Sequence, residues 1–414
     1  MGRRRGYLVA CVLAVAGCPS EPVVVPQPNA TVQAPRVPAG DLLVIPFRPD
    51  SFSASPNLLA RVTRSPFGYF RYTNEPFIRA VCRTYADTVD TMPTVNLHGD
   101  AHVEQYAVAA DGRGLADFDA ATLGPPIIDL ARFATSLALA STDVGGAEQA
   151  IAAFLRGYSV ALDDPAASGA EPAVATRIRA TFAPTAGEWL DATERLMTPM
   201  DDEKKLRMES AKAQYVTAIL SQNPDLTQSF FELKRGGLLK MGLGSAHEMK
   251  FLGRFEGPTA TPEDDVILEM KQMAPMPADT CIRGRDRDPL RVVVGQSRLA
   301  MSPQRFLGYV DVEGKTFYVH AWRVHYTELG IGDIHGADEL AQVAYDVGLQ
   351  LGKGHPKNIA DPHGASLRAE LKALVREVGP TLPSVAKALA AHVVHAHEVF
   401  TREADLAAKP PQSP

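Results

Sequence analysis

The chain has 414 residues, 45% of them hydrophobic and 22% charged, an ordinary globular composition with apolar material for two or three domains. Its formal net charge is −6 at pH 7, so no global basic field attracts a nucleic-acid backbone and no nucleic-acid partner is expected.

The N-terminus opens with Arg3-Arg4-Arg5 and a run of twelve residues, "GYLVACVLAVAG". That is too short to span a bilayer comfortably as a helix and suits the apolar region of a signal peptide, residues 1–17. Val15-Ala16-Gly17-Cys18 resembles a bacterial lipobox, which implies lipidation of Cys18 and export to a periplasm-facing or cell-surface membrane site. Several acyl chains would hold the protein stably at the membrane. An ordinary cleaved signal with an incidental cysteine is the alternative. Residues 18–46 hold the proline-rich "PSEPVVVPQPNATVQAPRVPAG" and read as a lipidated cysteine followed by an extended tether. Cys82 and Cys281 then remain, either as one disulfide in an oxidising compartment or as two buried thiols.

Residues 47–225 read as the first part of a helical lobe. Early in it, an apolar strand-like run leads into "HGDAHVEQ", and "LADFDAATLGPPIIDLARF" follows. From Ile128 onward the pattern is helical through "EQAIAAFLRGYSVAL", "GEWLDATERLM" and "KKLRMESAKAQYVTAIL". The texture changes over 226–327, where "GGLLKMGLGSAHEMKFLGRFEG" is glycine-punctuated and "DDVILEMKQM" is strand-like. "PLRVVVGQSRLAM" reads as an inserted helix, and "QRFLGYVDVEGKTFYVHAWRVHY" as a hairpin turning at Glu313-Gly314. This predicts a small antiparallel-sheet lobe. Residues 328–408 return to helix, with Leu340, Val343, Ala344, Val347 and Leu351 on one face. The predicted fold class is α+β.

The chemistry concentrates in three places. A phosphotransferase loop needs an aspartate to orient or deprotonate the acceptor hydroxyl, an oxygen ligand for magnesium five residues on, and a second aspartate after a short strand to grip the metal. Asp100, Gln105 and Asp117 meet that spacing, with Asp119 as a further metal ligand and Asp129 as a supporting carboxylate. In the middle segment, Gly242 and Gly244 would let backbone N–H groups approach phosphates, and Lys271 lies within an apolar strand, where a kinase-type lysine holds them.

The stretches "SPFGYFR", "HGDAHVEQY", "LADFDAATLGPPIIDLARFATSL", "VILEMKQ", "RVVVGQSRLAMSPQRFLGYV" and "ELAQVAYDVGLQLGKGHP" follow one another as in the domain-of-unknown-function-2252 family, which the chain resembles from about residue 55 to 360. That family is grouped with protein-kinase-like and aminoglycoside-phosphotransferase-like folds. The resemblance therefore implies a two-lobed kinase-like fold, with magnesium and a nucleotide such as ATP as cofactors. Asp100 and Asp117 precede Lys271 by more than 150 residues, the reverse of the usual kinase order, so the implied arrangement is circularly permuted. The chain departs from the family pattern in carrying Gln105 where asparagine is typical. Val294 stands where the small-lobe helix would offer the lysine a glutamate, with Glu269 and Gln296 as substitutes.

Three readings of function follow: a phosphotransferase acting on a small-molecule phosphate ligand, a degenerate kinase fold that binds a ligand or partner, and a metal-dependent hydrolase. The last would use His98, Asp100, His102 and Asp117, since alternate residues of an extended segment share one side and imidazole with carboxylate suits zinc. In the phosphotransferase reading His98 and His102 support the loop. Arg283, Arg285 and Arg287 read as a solvated loop, and His392, His395 and His397 as a polar helix face.

Overall fold

A computed structural model describes residues 35–408, apart from 54–55, 240–248, 274–279, 285–289, 313 and 359–362. The signal segment 1–17, Cys18, Gly242, Gly244, Arg285 and Arg287 lie outside the described residues. The described chain enters the fold earlier than a tether over 18–46 predicts. Leu43 is buried in the main core, its carbonyl accepts the Tyr69 hydroxyl at 2.8 Å, and the same hydroxyl accepts the Ile45 amide at 3.2 Å. The reason is local: "LLVI" is four apolar residues in succession and gains more from burial than from solvation.

Four short helices follow: α1 (Asp50–Ser53), α2 (Pro56–Thr63), α3 (Pro66–Tyr72) and α4 (Asn74–Thr84). Ser65 caps α3 by accepting the Gly68 amide at 3.1 Å, and Pro66 takes the first turn, where no donor is needed. Strands β1 (Val95–Leu97), β2 (Tyr106–Ala109), β3 (Gly112–Leu115) and β4 (Thr122–Gly124) then alternate with one-turn helices. β1 pairs with β4, and β2 with β3. The long α5 (Ile127–Val144) is buried on every side from Ile127 to Ala140, as expected of a helix apolar all round. α6 (Ala147–Asp163), α7 (Ala173–Arg179) and α8 (Ala186–Glu194) complete this part.

The second part is a six-stranded antiparallel sheet. It is built from β5 (Met197–Thr198), β6 (Leu233–Leu239), β7 (Lys250–Phe255), β8 (Val266–Gln272), β9 (Gly308–Val312) and β10 (Lys315–Ala321), in the order β5-β6-β7-β8-β10-β9. Its helix α9 (Asp202–Gln222) buries Met208, Ala211, Tyr215, Val216 and Ile219 in a core shared with Phe251, Met270 and Phe317. The sheet layer therefore gathers chain from before residue 226, because α9 spends its apolar face on the sheet and not on the preceding helices. The strand expected at "VILEMKQ" is β8, and the expected hairpin is β9–β10, with Gly314 at φ +77° in its turn. α10 (Leu290–Leu299) forms the crossover between β8 and β9.

The chain returns through β11 (Thr327–Glu328), paired with β2, to α11 (Ala337–Gly354), α12 (His363–Val378) and α13 (Leu382–Ala407). α11 buries the face read from its periodicity and lies backbone to backbone on α6. A Cβ on Gly348 would stand 2.1 Å from the Phe154 carbonyl oxygen, and one on Gly157 2.2 Å from that of Tyr345. The two helices can only touch this closely where side chains are missing. Cys82 and Cys281 are bonded, with Cα atoms 5.6 Å apart, which fastens the segment after β8 to α4. Among the described residues no helix is long and apolar enough to cross a membrane.

Candidate functional site

The loop from His98 to Gln105 does not run as an extended strand. Gly99 turns it at φ +79°, and a Cβ there would lie 2.1 Å from the Ala120 carbonyl oxygen, so the loop is pressed against the segment that carries Asp119. The His98 and Gly99 amides donate to the two oxygens of buried Asp129 at 2.7 and 2.9 Å. The His355 ring meets the same carboxylate through Nε2 at 3.2 Å and the Tyr158 hydroxyl through Nδ1 at 2.8 Å. Burial alone would raise the Asp129 carboxyl, but the hydrogen bond and charge of His355 and the Gly99 amide outweigh it and hold it below the usual carboxylate range. Asp129 is thus the anchor of the loop.

Both ring nitrogens of His98 are engaged by the backbone. Nε2 lies 2.9 Å from the Ala116 carbonyl oxygen, while Nδ1 accepts the Asp100 amide at 3.3 Å. Its ring also lies against Phe118, with centroids 4.8 Å apart. His98 therefore ties the two acidic segments together and has no free lone pair for a metal. His102 is buried against the edges of Phe67 and Phe70, and neither ring nitrogen has a hydrogen-bond partner. Burial, with the nearby charges of Arg71 and Arg132, keeps it neutral, well below the usual histidine range. Among the described residues no group of three or more His, Cys, Asp or Glu side chains is arranged to hold a metal. The His98, Asp100, His102 and Asp117 set of the hydrolase reading is not assembled, because Gly99 breaks the alternation that would have aligned it.

Asp100 is held by Arg132, whose Nε and Nη2 reach Oδ1 at 2.6 and 2.5 Å. The guanidinium is fully buried and stacks on Phe70 at 4.2 Å from the ring centroid. Burial raises the Asp100 carboxyl, the charge of Arg132 offsets this in part, and Asp119 adds to it. Oδ2 lies 3.8 Å from His102 Nε2.

The tertiary structure brings Lys271 to the acidic pair across 154 residues of sequence. Its ammonium lies 2.5 Å from Asp117 Oδ1 and 2.7 Å from Asp119 Oδ2. Burial would lower the lysine, but both carboxylates keep it well above its ordinary value. Burial would likewise raise Asp117, but Lys271 and Lys250 hold it below the carboxylate range. Lys250 stands directly across from Lys271 on β7, and Tyr318 across on β10, so β8 presents its lysine from the middle of a polar row. Asp117 itself has φ 56° and ψ 70°, a left-handed conformation that a non-glycine residue holds only at a cost of about 1–3 kcal/mol. Such strain persists where the surroundings demand a particular side-chain position. The Gln105 carbonyl accepts the Ala116 amide at 2.8 Å, and its buried side-chain oxygen meets no donor.

Glu269 does not pair with Lys271. It accepts the Trp322 indole N–H at 2.7 Å and lies 3.5 Å from His320 Nε2. Gln296 on α10 donates to Gln304, and α10 has no acidic residue. Arg283 clamps the carbonyls of Val89, Asp90 and Met92, a structural role. His397 binds the Thr63 carbonyl and His395 lies beside exposed Asp41, as a polar helix face would.

Sequence reasoning missed Asn96, Arg132, Asp346, Gln350 and His355. Asn96 donates to the carbonyls of Gly354, His355 and Lys357 and accepts Arg298 at 2.8 Å. Asp346 takes Arg113 and the Tyr106 hydroxyl, while Gln350 pairs with both backbone groups of Leu115. These contacts fix the β2–β3 ribbon, which joins Gln105 to Asp117. The signal available was charge inside apolar helix: "IIDLARFATSL" and "VAYDVGLQLG" hold Asp129, Arg132, Asp346 and Gln350 among residues that are otherwise buried.

The family described as "Uncharacterized protein conserved in bacteria (DUF2252)" matches residues 54–186 and 175–403. No curated protein and no solved structure matches the chain. With its matches running from residue 54 to residue 403, the chain belongs to the DUF2252 family of bacterial proteins.

Proposed function

We propose that this protein is an exported, lipid-anchored phosphotransferase-type domain with a circularly permuted, protein-kinase-like fold. The observation that carries the reading is the ion pair of Lys271 with Asp117 and Asp119, the first two of these 154 residues apart in sequence. The order of parts in the sheet also supports it: a hairpin whose connecting segment holds Gly242 and Gly244, then a strand lysine, then a helix.

The donor set fits magnesium. Asp117 and Asp119 offer carboxylates and Gln105 a buried amide oxygen without a donor, all hard oxygen ligands of the kind this ion prefers. Bound magnesium would neutralise phosphate charge on a nucleotide such as ATP. Lys271 would turn from the carboxylates to the phosphates. Asp100 would accept the proton of the acceptor hydroxyl. A carboxyl raised by burial is a stronger base than an exposed one, and Arg132 holds it in place. Cys18 would carry the lipid anchor, and the Cys82–Cys281 bond suits an oxidising compartment.

One observation favours a second reading, a degenerate kinase fold that binds a ligand or partner without chemistry. No acidic side chain of α10 supports Lys271, and Glu269 is engaged elsewhere. A thermal-shift titration with nucleotide and metal separates the two. The phosphotransferase reading expects stabilisation by ATP with magnesium, lost in Asp117→Ala, and turnover of ATP. Binding without turnover would favour the degenerate fold. No shift with magnesium and nucleotide, but a shift with zinc, would sink both.

A further inference from the structure

The motif "SPFGYFR" lies outside the reacting group, yet it builds a cleft of about 410 Å³ beside it. Arg61, Arg64 and Arg71 line this cleft, with Glu104 as the one carboxylate of its wall among the described residues. Gly68 makes the convergence of the arginines possible. A Cβ there would stand 2.4 Å from the Arg61 carbonyl oxygen, so only glycine lets the start of α3 tuck under the end of α2. Arg71 reaches Glu104 at 2.8 Å, and Glu104 belongs to the loop between Asp100 and Gln105. Phe67, on the cleft wall, touches the His102 ring, which in turn faces Asp100. The cleft and the catalytic-type loop therefore share a wall. Glu104 pairs with Arg71, and Glu328 also acts on Arg61 and Arg71, so three guanidiniums against these two carboxylates leave one positive charge in excess, in a chain whose net charge is −6. Planar guanidinium forks match the oxygens of a phosphate group, and the volume suits a small molecule.

We infer that this cleft is the acceptor site, and that it takes a phosphorylated small molecule whose phosphate is held by Arg61, Arg64 and Arg71. The word acceptor rests on the phosphotransferase reading; the anion site does not. The resemblance of "SPFGYFR" to its family then has a physical content: a cap, a close glycine contact and an arginine on a shared wall.

The test is calorimetric titration of the purified protein with inorganic phosphate, glucose 6-phosphate and glucose. Both phosphates should bind and glucose should not. Arg61→Gln and Arg64→Gln should each weaken phosphate binding about tenfold or more, as expected for loss of a charge-assisted hydrogen bond. Lys271→Met should keep phosphate binding while losing the nucleotide shift. Affinity unchanged in both arginine variants, or lost in Lys271→Met alone, would overturn the cleft assignment. Retention of phosphatidylglycerol vesicles through the same arginines, with neither soluble phosphate bound, would overturn the small-molecule assignment. Phosphate binding in a protein that shows no nucleotide shift would leave the anion site standing and remove the phosphotransferase reading, so each fails on its own measurement.

Discussion

Replacing Lys271 by methionine is the sharpest perturbation of the site. The change keeps most of the apolar stem and removes the charge, which sits between Asp117 and Asp119 and is almost fully shielded from water, with 4% of the side chain exposed. Removing one partner from a buried ion pair costs about 3–5 kcal/mol. Asp117 retains 30% exposure of its side chain and Asp119 12%, so water recovers part of this, and a loss of about 3 kcal/mol is expected at pH 7.5. Lys271 holds the Asp117 carboxyl below its unfolded value of 3.8. The stabilisation from this pair is therefore complete above that value and is lost as pH falls toward the folded one, so the gap between wild type and variant should close in acid. Urea unfolding followed by tryptophan fluorescence measures it well, because Trp189 and Trp322 both pack at the sheet core. Adding Asp119→Asn to Lys271→Met should restore stability by removing a like charge, whereas Asp119→Asn alone should be destabilising. A Lys271→Met loss under about 1 kcal/mol, or the same Asp119→Asn effect in both backgrounds, would refute the electrostatic account.

Two further outcomes follow from buried groups elsewhere. Burial keeps His102 and His320 protonated less readily than the ordinary histidine value of 6.5, so the unfolded chain takes up protons below that pH that the folded chain does not. Stability should fall with acidification by about 1.4 kcal/mol per pH unit for each histidine, and His102→Gln should remove its share of the slope between pH 6.5 and 5; an unchanged slope would contradict the assignment. Gly348→Leu should destabilise by at least about 2 kcal/mol, because the added side chain must separate α11 from the Phe154 carbonyl; a variant with wild-type thermal midpoint would show that the helix contact is not tight.

Much of the local architecture was legible. The apolar spacing from Leu340 to Leu351 marks the buried face of α11, and "VILEMKQ" marks β8, because periodicity reports which side of an element leaves water. The loop that carries Asp100 and the segment that carries Asp117 lie against each other, through His98 on Ala116 and Gly99 on Ala120. Periodicity does not report what the buried face meets. The amphipathic α9 reads like its helical neighbours, yet it covers the sheet, and the apolar residues just before Phe47 join the main core.

By itself the sequence determined the elements, the acidic loop pair and the lysine strand, since these depend on side-chain order along a local backbone. Only the tertiary structure decided that Lys271 closes on Asp117 and Asp119, that Arg132 holds Asp100, and that His355 braces Asp129. It also joined Cys82 to Cys281 and showed that Arg61, Arg64 and Arg71 open onto a cleft beside the loop. A charged residue reads in sequence as solvated. Its burial, and the opposite charge that makes the burial tolerable, become visible only when segments more than 150 residues apart are packed against each other.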